Sequence, residues 1–164
     1  MRQWTSDRDG TKATFFAIQV LKVTMSEITK RQQAIIKEFS NLATWEDRYK
    51  KIIAIGKALT PIDPKYQTSE NKVKGCQSQV WMFADLNDKG QMQIYADSDA
   101  MIVRGLVALL VRVYSLALPQ DILQSPPVFI KELGFANNLS PSRANGLQAM
   151  VKQIMFYAMA YSNK

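Results

Sequence analysis

From Ser26 onward, apolar residues recur with helical spacing. Ile28, Ile35, Phe39 and Leu42 follow one another at intervals of seven, four and three, which predicts a helix with one broad buried face. Thr44 offers an N-cap oxygen for a second helix, with Glu46 and Asp47 in its first turn, where carboxylates meet the positive end of the dipole. That helix turns Trp45, Tyr49, Ile52, Ile53 and Gly56 inward and stops before Pro61; Pro61 and Pro64 open a loop running through Glu70. The middle of the chain changes period. Ser78 to Leu86 is rich in β-formers (Val80, Trp81, Phe83), Asn87-Asp88-Lys89-Gly90 is a turn, and Gln91 to Ala96 alternates strictly, with Met92, Ile94 and Ala96 on one face. This is a β-hairpin with one buried face, and residues 72–74 offer a further short strand.

Ala100 to Leu118 is the most apolar stretch, with Asp97-Ser98-Asp99 as its caps and Arg104 and Arg112 as its only charges. It is long enough to span a bilayer, but each Arg near its middle would cost about 2.5–3.5 kcal/mol on insertion and no second span exists. A helix packed on the sheet is the better reading. Pro119, Pro126 and Pro127 then divide the chain into short turns at Gln120–Gln124 and Val128–Leu133. The last helix opens with Ser140 as N-cap and Pro141 at its first position, followed by a stripe of Leu147, Met150, Val151, Ile154, Ala158 and Tyr161. Strands segregated from helices indicate an α+β fold, a small antiparallel, hairpin-based sheet covered by helices on one face.

Residues 1–24 read differently. Met1 to Gly10 is polar with mixed charge, and Ala13 to Val23 is an apolar run broken by Gln19 and Lys22. The run approaches the length of a signal-peptide core, but Asp7 and Asp9 fall in the would-be basic region and no A-x-A cleavage site follows. Met25-Ser26-Glu27-Ile28 reads as a natural start. Residues 1–24 are therefore expected to be a non-core extension ahead of one domain over residues 25–164, a length that suits a single core.

Composition narrows the chemistry. The chain contains no His and one Cys, which excludes a Ser-His-Asp triad, a Cys-His pair, an imidazole metal ligand, an intrachain disulfide and a four-Cys metal site. An unpaired thiol suits a reducing compartment, so the expected location is the cytoplasm. Lys plus Arg is 21 against 14 Asp plus Glu, for a net charge of +7. Such a balance raises a basic nucleic-acid-binding module as the alternative reading. The cations are scattered, however: no three Lys or Arg are consecutive, and the densest group, Arg48, Lys50 and Lys51, falls largely on a solvated helical face.

Cys76 is the one soft nucleophile. A lone Cys is commonly a buried small hydrophobe. Here it follows Gly75, which frees the chain to turn, and precedes the polar run Gln77, Ser78 and Gln79, with Lys72 and Lys74 just upstream. A thiol on a glycine-hinged polar loop at the mouth of a strand is equally well placed for chemistry. With no His to act as base, activation falls to cations, backbone N–H groups or a partner. Sulfur exchange, in which a thiolate attacks sulfur directly, suits such a residue better than acyl transfer. A stand-alone Cys enzyme is the poorer fit.

Gly75-Cys76-Gln77-Ser78-Gln79-Val80-Trp81 resembles the signature of the SufE family of cysteine desulfuration proteins, sulfur acceptors in iron–sulfur cluster assembly. The likeness extends to Trp45-Glu46-Asp47-Arg48-Tyr49, Asp97-Ser98-Asp99-Ala100, Val103-Arg104-Gly105-Leu106, and Leu139-Ser140-Pro141-Ser142-Arg143 followed by Gly146-Leu147, in family order over about residues 26–160. The resemblance implies a fold like that of iron–sulfur scaffold proteins. It also implies that Cys76 takes sulfur as a persulfide from a pyridoxal-phosphate cysteine desulfurase, SufS-like or a paralogue. The chain would stimulate that enzyme and pass the sulfur to an iron–sulfur scaffold complex, without turnover of its own. The cofactor would stay with the partner; no cofactor, metal, nucleic acid or membrane is expected for this chain, as a monomer or homodimer. Gly75, Gln77, Ser78, Gln79, Asp99 and Arg143 are the expected supporting residues. Asp99 and Ser98 are read first as caps, and Arg143 as a first-turn cation within reach of the Cys loop. Trp81 and Met82 are read as core.

Overall fold

Local capping chemistry sets the helix starts. The computed structural model describes residues 25–164, so the extension expected over residues 1–24 lies outside the described residues. Ser26 Oγ accepts the Thr29 N–H at 3.2 Å and opens α1 (Glu27–Ser40). Thr44 Oγ1 accepts the Asp47 N–H at 3.1 Å and opens α2 (Trp45–Lys57). Each cap satisfies one orphan donor and stabilises its helix by about 1 kcal/mol. Along α2, Ile55 packs against the core where Ile53 was expected to; Ile52 and Gly56 are buried as the pattern required.

Strands β1 (Val80–Leu86) and β2 (Met92–Ser98) form a two-stranded antiparallel hairpin, with Val80 opposite Ser98 and Leu86 opposite Met92. Asn87 Oδ1 accepts the N–H groups of Lys89 and Gln91, both at 3.0 Å, and Gly90 takes the positive φ of 72° that completes the turn. Val80, Met82 and Ala84 join Met92, Ile94 and Ala96 on the buried face. On the other face Phe83 lies between Tyr66 and Tyr95, with ring centroids 4.3 and 4.6 Å apart. Residues 72–74 contribute a bridge rather than a strand: Lys72 pairs with Trp81 alone, and the Val73 N–H donates to the Val80 carbonyl at 2.8 Å.

Against the buried face lies α3 (Met101–Tyr114), whose Leu106, Val107, Leu109, Leu110, Val113 and Tyr114 are fully enclosed. It crosses α2 closely. A Cβ on Gly56 would sit 2.7 Å from the Gly105 nitrogen, and one on Gly105 would overlap the Ile52 carbonyl, so only glycine fits on either side. Two expectations fail at the ends of α3. Its N-cap is Ala100 with no side-chain bond, because the Asp97, Ser98 and Asp99 side chains are engaged elsewhere. It also stops at Tyr114 instead of Leu118. Leu116 takes a left-handed φ of 61°, and its N–H donates to the Met92 carbonyl at 2.8 Å, while the Ala117 carbonyl accepts the Met92 N–H at 2.8 Å. The chain leaves the helix to complete the outer edge of β2.

Short helices α4 (Pro119–Leu123), α5 (Val128–Glu132) and α6 (Phe135–Asn138) follow, the first two within a residue or two of the expected turns and the third unforeseen. The chain closes with α7 (Pro141–Ser162), capped by Ser140. Leu147, Met150, Ile154 and Ala158 are its buried stripe, and the Tyr157 and Tyr161 hydroxyls donate to the carbonyls of Met82 and Ala84 at 3.0 and 2.6 Å. The result is α+β, with helices gathered on one face of a small antiparallel sheet.

Candidate functional site

The segment between Asn71 and β1 is pinned at both ends. Upstream, the Met82 N–H donates to the Asn71 carbonyl and the Val73 N–H to the Val80 carbonyl, each at 2.8 Å. Downstream, Gln79 is held on three sides. Asp99 accepts its backbone N–H at 3.1 Å and its side-chain amide at 3.2 Å, and the Ser98 hydroxyl donates to its carbonyl at 2.8 Å. Asp99 is therefore a loop anchor and not a helix cap. Ser98 is an anchor too: its Oγ also accepts the Ala100 N–H at 3.2 Å, a bond ahead of α3 that leaves the helix itself without a side-chain cap. Between these anchors the chain turns at Gly75, whose φ of 95° is costly for any residue with a Cβ.

That turn presents Cys76 to the first turns of α7. The thiol is half-buried, and its S–H points at the Gly146 carbonyl, 3.5 Å away. A Cβ on Gly146 would stand 3.4 Å from Sγ, at ordinary van der Waals contact, so the glycine leaves slack beside the sulfur without being required for its approach. Beside the sulfur opens a cavity of about 300 Å³ lined by Cys76, Gln77, Ser78, Ser142, Arg143 and Met150, among others. This is roughly ten times the ~30 Å³ share of a water molecule, ample for one further sulfur atom. The N-terminus of α7 borders it through Ser142 and Arg143, so the positive end of the helix dipole and a guanidinium adjoin the same space. Arg143 makes no side-chain hydrogen bond or ion pair among the described residues.

Burial pushes the Cys76 thiol above its ordinary range. The resting group is thus a protonated thiol, half-shielded and weakly nucleophilic, with the features that would favour its anion set at the rim of the cavity. No group of three or more His, Cys, Asp or Glu side chains that could hold a metal ion occurs among the described residues.

The structure brings Gly75, Gln77, Ser78 and Arg143 to Cys76 and leaves Gln79 and Asp99 outside the cavity as the anchor of the loop. Lys72 and Lys74 do not face the thiol. They line a separate hollow beyond Gly75. Trp81 and Met82 are core. Residues that the sequence did not single out for the site are Gly146, Ser142, Val103 and Met150. Only Gly146 carried a signal, since a glycine inside a helix costs about 1 kcal/mol and needs a reason.

A sequence-family profile described as "SufE: Fe-S metabolism associated domain" matches residues 33–158. The chain is 40% identical over 128 residues to "SufE-like protein 1, chloroplastic/mitochondrial" of Arabidopsis thaliana, an alignment covering 78% of this chain and 34% of that protein. The chain thus spans about a third of the length of that relative. Among solved structures, the solution structure of a hypothetical protein from Thermus thermophilus superposes with a TM-score of 0.68 at 20% identity, over 82% of this chain and 97% of the other. That likeness shows the fold. Among the described residues, no helix is long and apolar enough to cross a membrane.

Proposed function

The chain belongs to the SufE family of Fe–S metabolism associated domains, and from that premise we propose that it is a sulfur carrier whose Cys76 accepts sulfane sulfur from a cysteine desulfurase. The observation that carries the reading is the setting of the chain's one thiol: at the edge of a cavity with room for another sulfur, on a loop fixed at both ends, in a chain without His.

The step balances without an added base or oxidant. Cys76 sulfur attacks the terminal sulfur of the donor's persulfide. A new S–S bond forms at Cys76 while the donor's S–S bond breaks, and the proton leaving Cys76 ends on the departing donor thiolate. No net oxidation occurs, because one sulfane sulfur moves between two cysteines. In this reading pyridoxal phosphate stays with the donor, and the next recipient is an iron–sulfur assembly scaffold.

The residues around Cys76 have separate tasks. Gly75 supplies the turn, Asp99 and Ser98 hold Gln79 and so fix where the loop re-enters the sheet, and Gly146 leaves space against Sγ. Gln77 and Ser78 line the cavity wall. Arg143 and the α7 N-terminus favour the loaded sulfur, since a persulfide is more acidic than a thiol and ionises where the thiol does not. A helix N-terminus contributes about 0.3–1 kcal/mol to an anion beside it.

The reading is tested with a pyridoxal-phosphate cysteine desulfurase and free cysteine, following alanine release. The wild-type chain raises the rate, and Cys76→Ser leaves it at the level of the desulfurase alone. Stimulation that survives Cys76→Ser would refute the carrier role.

A further inference from the structure

A second concavity lies on the far side of Gly75 from the cysteine. It is a hollow of about 680 Å³ between α7 and the segment leading into the Cys loop, with Gly75 and Ala149 in its lining and Lys72, Lys74 and Lys152 around it. Glu70 is its one acidic side chain, and none of the three lysines makes an ion pair among the described residues. Phe156 also lines it and is 63% exposed. Farther along α7, Met159 is 56% exposed, so the helix carries apolar residues on its outer side as well as on its buried stripe. Phe156 and Met159, three residues apart on one helix, are neighbours on its surface and form an exposed apolar strip beside these cations, not a single scattered side chain.

We propose that this hollow docks an acidic protein segment bearing an apolar anchor, seated beside Cys76 and not over it. The charge balance of three cations to one anion asks for carboxylates, and Phe156 asks for an aliphatic or aromatic contact. The lysines surround a compact hollow instead of marking out a track, which favours a protein segment over a nucleic-acid backbone. Cys76 does not line the hollow, so a docked segment would leave the cysteine cavity open to a sulfur donor or recipient. The proposal concerns this surface and not the thiol, so it stands or falls separately from the sulfur-transfer reading.

The test titrates ¹⁵N-labelled full chain with an amphipathic peptide carrying glutamates on one face and leucine and phenylalanine on the other. Amide shifts should concentrate at Gly75, Ala149, Lys152 and Phe156. Lys74→Glu with Lys152→Glu should weaken binding about tenfold or more, since two attractions become repulsions. Phe156→Ser, at an exposed position that leaves the core intact, should weaken it as well. Equal binding of a glutamate peptide stripped of its apolar residues would overturn the proposal. So would shifts centred elsewhere, or tighter binding of a single-stranded oligonucleotide at the same residues.

Discussion

Gly146→Ala should move stability and sulfur retention in opposite directions. Gly146 is buried inside α7, and the added Cβ would stand 3.4 Å from Cys76 Sγ and 3.9 Å from its Cβ, ordinary contact distances that demand no backbone shift. Alanine is favoured over glycine in a helix interior by about 0.8–1.0 kcal/mol. Allowing for some crowding, the variant should gain about 0.5 kcal/mol and melt one or two degrees higher, at about 2–4 °C per kcal/mol for a chain of this size. The loaded state is another matter. A persulfide adds an atom to a sulfur that now touches a methyl group, and overpacking of this kind costs about 1–3 kcal/mol. A cost of that size lowers the retention of the shielded persulfide by about fivefold or more. The assay loads wild type and variant with a desulfurase, removes the enzyme, adds glutathione and follows the persulfide by mass. Loss from the variant should be at least about fivefold faster while its melting temperature holds or rises. Equal lifetimes in a stable variant would refute the claim that Gly146 makes room for the second sulfur.

Asp99→Asn keeps the size of the side chain but removes the charge that both Gln79 donors share, at 3.1 and 3.2 Å. At this exposed site the loss should be about 1 kcal/mol, read as an approximately fivefold faster alkylation of Cys76 with a fall of only about 2–4 °C in melting temperature; an unchanged rate would remove Asp99 from the loop anchor. The raised Cys76 pKa fixes a pH dependence. Folding favours the protonated thiol, so this contribution to stability is complete below the unfolded thiol's pKa and is lost as pH climbs through the folded value. Iodoacetamide labelling should accordingly lag behind that of the urea-unfolded chain as pH rises, and coincident curves would contradict the burial account. Gly105→Ala would overlap the Ile52 carbonyl at the α2–α3 crossing. It should cost about 3 kcal/mol and roughly 10 °C in melting temperature, and a neutral outcome would mean the helices part at no expense.

What was legible in the sequence was whatever neighbouring residues decide. The caps at Thr44 and Ser140 are local oxygen-to-amide contacts, and the alternation of Met92, Ile94 and Ala96 needs only the strand period. Gly75 announced its turn before Cys76, and its positive φ is what the residue type allowed. The misreadings lie where tertiary contacts overrule local preference. Nothing around Leu116 signals a left-handed residue; Ser115–Ala117 leaves the helix because the open edge of β2 accepts it, through Met92 and through the Ser115 hydroxyl on the Ile94 N–H at 3.0 Å. Asp99 looked like a cap because it precedes a helix, but the hairpin register brings it to Gln79, and the denser bonding there wins. The approach of Cys76 to Gly146 joins residues far apart in the chain, so no periodicity could reveal it.

The most direct test of the carrier account is the mass of the peptide that contains Cys76. The full chain is incubated with a cysteine desulfurase and isotopically labelled cysteine, alkylated without reductant and digested. The account predicts a gain of about 32 Da per transferred sulfur on that peptide, rising to about 34 Da when the cysteine carries ³⁴S, and none in Cys76→Ser. Label found on the desulfurase alone, with an unmodified Cys76 peptide from a folded chain, would contradict it.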